Sequence, residues 1–294
     1  MPNPSFTLDT EHGLISITCS APKTSKPTLL LIHGNSSSSE IFQHIQNNES
    51  ISSSWHILTF DLPGHGASSN APDPERSYTM RGYASLALTI LTHLEIRKVV
   101  VLGWSLGGHI GIELLHLLRP HPTIQMKGLM ITGTPPALGK EQTSRGFSFQ
   151  DPHLSFAARR DWTLEEAQTF ARTGAGAPFE PWMEKCAVRT HGRARSIMWA
   201  DFADREAGGV DQVAVVEQHK DVLIAVVNGA DEPFVNLDYL DEIKWGNLWK
   251  GECLRLKGLK HAPFWEEPET FEKILQEFLE DCLKVGSTGV DLQN

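Results

Sequence analysis

The stretch Gly103-Trp104-Ser105-Leu106-Gly107 stands between an apolar run typical of a β-strand, residues 98–102, and a run with helical apolar spacing, residues 106–119. A serine on a sharp turn between strand and helix needs strained backbone angles, and glycines two positions before and after it let the two elements pack closely. The turn raises the Ser105 hydroxyl above the sheet, and the helix start directs backbone N–H groups toward whatever that hydroxyl attacks. The stretch therefore predicts a nucleophile at Ser105.

Short apolar runs alternate with helical patterns along most of the chain. Helices are predicted at residues 80–95, 106–119, 234–243 and 268–283. Strands are predicted in eight segments: SFTLDT, LISITCS, PTLLLIHG, WHILTFDLPG, KVVVLGWS, KGLMITG, VLIAVVNG and GECLRLKGLKH. The first two flank Glu11-His12-Gly13 and predict an antiparallel hairpin. The alternation predicts an α/β fold with an eight-stranded, mostly parallel sheet and helices on both faces.

The segment between the sixth and seventh predicted strands breaks this alternation. Residues 134–221 have no convincing strand pattern, whereas DWTLEEAQTFAR, PFEPWMEKCAV and RARSIMWADFADRE have helical patterns. We therefore expect a core in two parts, residues 1–133 and 222–294, with a helical lid, residues 134–221, inserted between them. The final GSTGVDLQN is expected to be a frayed tail.

Composition excludes several classes of function. A net charge of −10, without clustered Lys and Arg, argues against a nucleic-acid partner. The four cysteines are far apart and form no CxxC, which favours idle thiols in a reducing compartment. Neither HExxH, HxHxDH nor GxGxxG occurs, so no metal and no dinucleotide cofactor is expected. The N-terminal MPNPSFTLDT does not have the pattern of a signal peptide, and no apolar run approaches the roughly 18 residues of a membrane span, so the cytoplasm is expected.

A serine nucleophile needs a base within hydrogen-bond reach, and the base needs an acid that orients it. His261, in GLKHAPF, follows the last predicted strand at the carboxyl edge of the sheet, where the sites of open α/β folds gather. Asp231, in NGADEP, follows the seventh predicted strand at the same edge, and the adjacent Glu232 is the alternative acid. The predicted set is Ser105, Asp231 and His261, in an order that differs from those of chymotrypsin and subtilisin.

With these residues and the motifs LIHGNSSSS and DLPGHGASS, the chain resembles the α/β-hydrolases over nearly its whole length. The resemblance implies an oxyanion hole formed by the N–H groups of Asn35 and Leu106. Relatives such as haloalkane dehalogenases and epoxide hydrolases have aspartate at the elbow, so the serine implies acyl transfer to water without a cofactor. HGNSSSSEIF, GWSLGGHIGIE and ITGTPP are similar to the branch that includes metal-independent N-acyl-homoserine lactonases.

The resemblance does not identify the substrate, which depends on the residues that line the pocket. The candidates for an apolar pocket are Trp104, Trp182, Trp199 and Trp265, although the tryptophans of the lid could instead pack the lid onto the core. His109 and Glu113 share one helix face and are interpreted as structural or pocket-lining rather than as metal ligands.

The predicted function is hydrolysis of a small apolar lactone or carboxylic ester. The sequence does not indicate an oligomeric state. Two alternatives remain open: a C–C bond hydrolase or cofactor-free dioxygenase of the same fold, and a ligand receptor with slow turnover.

Overall fold

The computed structural model describes residues 4–20, 25–206 and 208–284, and the predicted frayed tail lies outside them. The strands are β1 Ser5–Thr10, β2 Gly13–Cys19, β3 Thr28–Ile32, β4 His56–Phe60, β5 Lys98–Trp104, β6 Gln125–Thr132, β7 Leu223–Gly229 and β8 Leu254–Leu256. They form one sheet in the order β1-β2-β4-β3-β5-β6-β7-β8. β1 pairs antiparallel with β2, and β2 with β4. The strands β4, β3, β5, β6, β7 and β8 pair in parallel. The predicted eight-stranded, mostly parallel sheet and its hairpin are confirmed.

The helices are α1 Gln43–Asn47, α2 Glu49–Ser54, α3 Pro74–Ser77, α4 Met80–His93, α5 Leu106–Leu118, α6 Gly139–Gly146, α7 Leu164–Ala175, α8 Pro181–Arg189, α9 Gly192–Ala203, α10 Gln212–Gln218, α11 Leu237–Glu242, α12 Pro263–Glu266 and α13 Pro268–Lys284. Short 3₁₀ helices occur at Ser39–Phe42, Pro152–Ala158 and Trp249–Gly251. The predicted helices at 80–95, 106–119 and 268–283 are confirmed within two residues at each end, and the one at 234–243 is shorter. In the part of the chain that is described, no helix is long and apolar enough to cross a membrane.

The core lies in two layers because successive strand residues point to opposite faces of the sheet. Leu30 and Ile32 of β3 pack into the layer that contains α4 and α5. Leu29 and Leu31 pack into the layer that contains α13. Every residue of β3 is buried, as a parallel strand covered by helices on both faces requires.

Helices α6 to α10, which we call the cap helices, all come between β6 and β7. Arg189 of α8 donates to Ser68 O at 2.5 Å, and Val210 N–H, just before α10, donates to Glu113 Oε1 at 2.7 Å. Trp265 Nε1 donates to Pro178 O at 2.8 Å. The cap is therefore tied to the core at several separate places. The division into residues 1–133, 134–221 and 222–294 stays a prediction.

Candidate active site

Ser105 lies on a strained turn between β5 and α5. Its backbone has φ 54° and ψ −118°, a conformation that is uncommon for a residue other than glycine. A Cβ on Gly103 would collide with Gly107 O, and a Cβ on Gly107 with Ile32 O. The glycines on either side are therefore required by close backbone packing, as the sequence predicts.

His261 is held beside this turn by contacts on three sides. Its carbonyl accepts a hydrogen bond from Trp104 Nε1 at 2.9 Å, and the Phe234 ring meets its ring edge-on at a centroid distance of 4.9 Å. Gly133, directly after β6 with φ 63°, lies so close that a Cβ there would be 2.6 Å from His261 Cε1. These contacts fix the position of the imidazole ring, and only a residue without a Cβ fits at position 133.

Glu232, not Asp231, is the carboxylate that contacts His261, so the predicted pairing is corrected. The Nδ1 atom of His261 is 2.8 and 2.9 Å from the two oxygens of Glu232, whose side chain is fully buried. Glu232 Oε1 also accepts the Phe234 N–H at 2.9 Å.

The physical reason is the turn after β7. Ala230 and Asp231 form this turn, the Asp231 N–H bonds to Leu259 O, and the Asp231 side chain is exposed. The chain returns inward only at the next residue, so the carboxylate that reaches His261 is that of Glu232.

The loop after β3 passes close to Ser105. A Cβ on Gly34 would lie 3.1 Å from Ser105 Cβ, which leaves no room for a side chain there. Asn35 and Leu106 both line the same cavity as Ser105. Leu106 is the first residue of α5, and the first N–H groups of a helix have no partner within it. The Asn35 side chain donates to Ala157 O at 3.0 Å and so connects this loop to the cap.

A solvent-connected cavity lies between Ser105 and the cap helices. Its polar side chains are those of Asn35, Ser105, His109 and His261. Much of its wall is apolar and comes from the cap segment: Phe147, Leu154, Phe170, Met198, Trp199 and Phe202. Such a cavity suits a mostly apolar ligand with one reactive polar group.

The four tryptophans proposed for the pocket separate into two pairs. Trp104 and Trp199 line the cavity. Trp182 and Trp265 instead contact each other at 5.6 Å and belong to the core layer with α13, where Trp265 is 2 % exposed. For this pair, the alternative that they pack the cap onto the core describes the structure, because α12 directs Trp265 toward Pro178.

The remaining histidines and carboxylates near the site have structural partners. His33 Nδ1 donates to Gly34 O at 2.8 Å, and its Nε2 accepts the Leu62 N–H at 3.0 Å, which joins the loops after β3 and β4. The Asp61 carboxylate accepts the Ser39 and Ala67 N–H groups. Among residues 4–20, 25–206 and 208–284, no group of three or more His, Cys, Asp or Glu side chains could hold a metal ion.

Comparison with known proteins assigns the class. Residues 29–274 match the model of the alpha/beta hydrolase family, so the chain belongs to that family. With a solved lactonase of 41% identity over nearly the whole chain, this makes it a hydrolase of ester-type bonds.

Within the family, the chain lies in the branch of the N-acyl homoserine lactonase AidH. It is 41% identical to a mutant of AidH complexed with N-hexanoyl homoserine lactone, with a TM-score of 0.88, covering 96% of this chain and 99% of that one. It is 40% identical to AidH complexed with N-butanoyl homoserine, with a TM-score of 0.87, covering 99% of this chain and 100% of that one.

A more distant solved structure shares the fold, and a curated relative matches part of the chain. An esterase from Rhodococcus has 19% identity and a TM-score of 0.74, covering 97% of this chain and 100% of that one. The matched segment of the Bacillus subtilis hydrolase YraK is 27% identical and spans 35% of this chain but only 40% of that relative.

Proposed function

We propose that this protein is a metal-independent lactonase that opens N-acyl homoserine lactones, or closely related apolar lactones, through a triad of Ser105, His261 and Glu232. The observation that carries the proposal is the bond from His261 Nδ1 to the buried Glu232 carboxylate, with His261 and Ser105 lining the same cavity. The likeness to AidH over nearly the whole chain supports the choice of substrate.

The first half of the reaction forms an acyl-enzyme. The Ser105 hydroxyl attacks the lactone carbonyl while His261 Nε2 takes its proton, and Glu232 stabilises the imidazolium that results. The N–H groups of Asn35 and Leu106 donate hydrogen bonds to the carbonyl oxygen and so stabilise the negative charge that develops on it. His261 then gives its proton to the ring oxygen, which leaves as the hydroxyl of the opened lactone.

The second half of the reaction releases the acid. Water loses a proton to His261 and attacks the Ser105 ester, and Ser105 leaves with that proton. In this proposal the cap helices act as a lid, and their apolar side chains bind the acyl tail.

The test is hydrolysis in a pH-stat, with a chelator and no added metal. The panel contains N-acyl homoserine lactones of several chain lengths, larger aromatic lactones and matched linear esters. We expect acid release from the acyl homoserine lactones well above that from linear esters, and its loss in Ser105→Ala. Ser144→Ala, an exposed serine of the cap, is the matched control and should behave as wild type.

Two outcomes would redirect the assignment. Preference for linear esters would make the protein a carboxylesterase with the same triad. No acid release from any member of the panel would refute ester hydrolysis on these substrates and favour C–C cleavage, oxygenation or ligand reception.

A further inference from the structure

The cavity contains a histidine that the proposed reaction does not use. His109 lies on α5, four residues after Ser105, and lines the same cavity. Its ring is buried and packs against Phe202 and Phe147 at centroid distances of 4.7 and 6.0 Å. A polar atom in such surroundings is costly unless it meets a partner.

The hydrogen bond to Gln212 fixes the tautomer of His109. His109 Nδ1 is 2.7 Å from Gln212 Oε1, and the same oxygen accepts the Ala137 N–H at 3.4 Å. Because an amide oxygen can only accept, Nδ1 carries the proton and Nε2 has a free lone pair. Burial also lowers the pKa of His109 to about 4, so the ring is neutral at neutral pH.

The Nε2 atom is the part of the ring that is available to a ligand. Within the described residues, the only hydrogen bond of the His109 side chain is the one to Gln212, and Nε2 is not among the fully enclosed atoms that have no partner. His109 therefore offers one hydrogen-bond acceptor to the cavity and no donor.

The spacing on α5 relates this acceptor to the nucleophile. Four helical residues span about 6 Å along the axis. The carbonyl carbon that Ser105 attacks lies about 3 Å from the hydroxyl oxygen of Ser105. A nitrogen bonded to the carbon next to this carbonyl lies about 2.5 Å from the carbonyl carbon. With a hydrogen bond of about 3 Å, such a nitrogen can lie between Ser105 and His109.

We propose that His109 is a specificity-determining residue whose Nε2 accepts a hydrogen bond from the amide N–H of an acylamino group next to the lactone carbonyl. This inference rests on the proposed lactonase function and narrows its substrate class. An apolar cavity removes water from the amide N–H, and the acceptor at His109 compensates for that loss. Lactones without the N–H would leave the acceptor unpaired.

The experiment compares two lactones that differ at one atom. One is N-hexanoyl homoserine lactone, and the other is its analogue with a methylene in place of the amide N–H. Because the two rings differ in intrinsic reactivity, the measured quantity is the change in their kcat/KM ratio between proteins. His109→Phe keeps the aromatic packing and removes the acceptor, and His116→Phe, an exposed histidine on the same helix, is the matched control.

We expect the ratio of amide to methylene substrate to fall about tenfold or more in His109→Phe and to stay unchanged in His116→Phe. In Gln212→Leu, where nothing holds the Nδ1–H tautomer, the ratio should fall by a smaller factor. This variant also provides the test if His109→Phe fails to fold.

An unchanged ratio in folded His109→Phe, with both lactones hydrolysed, would overturn the role of His109 and leave the lactonase function standing. Hydrolysis of neither lactone by the wild type would instead refute the lactonase function. In that case, the kcat/KM ratio is measured on the methyl ester of an N-acyl amino acid and on that of its methylene analogue. A ratio that is the same in wild type and His109→Phe would again overturn the role of His109 in recognising the amide N–H.

Discussion

Replacing Glu232 by glutamine tests the proposed triad most directly. The substitution keeps the size of the side chain but removes its charge, and it puts an NH₂ group where an oxygen now lies 2.8 or 2.9 Å from His261 Nδ1. An NH₂ group facing Nδ1 favours the tautomer protonated at Nε2, which cannot take the Ser105 proton. The buried site also loses the charge that stabilises the imidazolium.

The expected loss follows from what remains in place. Trp104, Phe234 and Gly133 still fix the His261 ring, so the change acts on its protonation rather than on its position. Loss of the acid in comparable triads costs about 10⁴ in kcat. We therefore expect kcat to fall by roughly 10³ to 10⁴, which corresponds to about 4–5.5 kcal/mol of transition-state stabilisation.

The assay is steady-state hydrolysis of the best lactone, with the melting temperature of each variant measured alongside. Asp231→Asn is the matched control, because its side chain is exposed, and it should stay within about threefold of wild type. If Glu232→Gln kept more than about a tenth of the wild-type rate while Asp231→Asn lost two orders of magnitude, the assignment of the acid would be wrong.

Three further outcomes are expected. Ser105→Ala should fold with an unchanged circular dichroism spectrum and lose most turnover, and full activity would rule out the covalent mechanism. Gly133→Ala should lower the unfolding free energy by about 1–2 kcal/mol and should also lower kcat, because the new Cβ displaces His261. The control is Gly251→Ala, at a residue with φ 73° and open space around it, which should lower stability alone. Equal losses of kcat in the two variants would contradict this account. The pKa of His109 is about 4 in the folded protein, below its unfolded value, so His109 contributes stability at neutral pH that is lost as pH falls from 6.5 toward 4, by up to about 1.4 kcal/mol per pH unit. In urea unfolding at several pH values, the unfolding free energy of His109→Phe should therefore fall less steeply with decreasing pH than that of the wild type. Parallel curves for the two proteins would refute this prediction.

Much of the fold could be predicted because its signals are local. The alternation of β-rich runs with helical patterns determined the sheet and three of the four predicted core helices, since apolar periodicity reports which side of an element is buried. The glycines around Ser105 identified the elbow, because only residues without a Cβ allow the backbones of β5, α5 and β3 to approach so closely. The shorter motifs also placed the chain correctly among the α/β-hydrolases.

The sequence by itself thus predicted Ser105 as the nucleophile, placed His261 at the carboxyl edge of the sheet, and gave two neighbouring candidates for the acid. Only the tertiary structure showed that Glu232 and not Asp231 contacts His261, because a one-residue difference in how the turn after β7 is formed reverses which side chain points inward. It also decided which tryptophans face the cavity and brought Gln212 to His109 across 103 positions of the chain. Such contacts depend on how distant segments pack against one another, and local patterns of apolar and polar residues do not specify that packing.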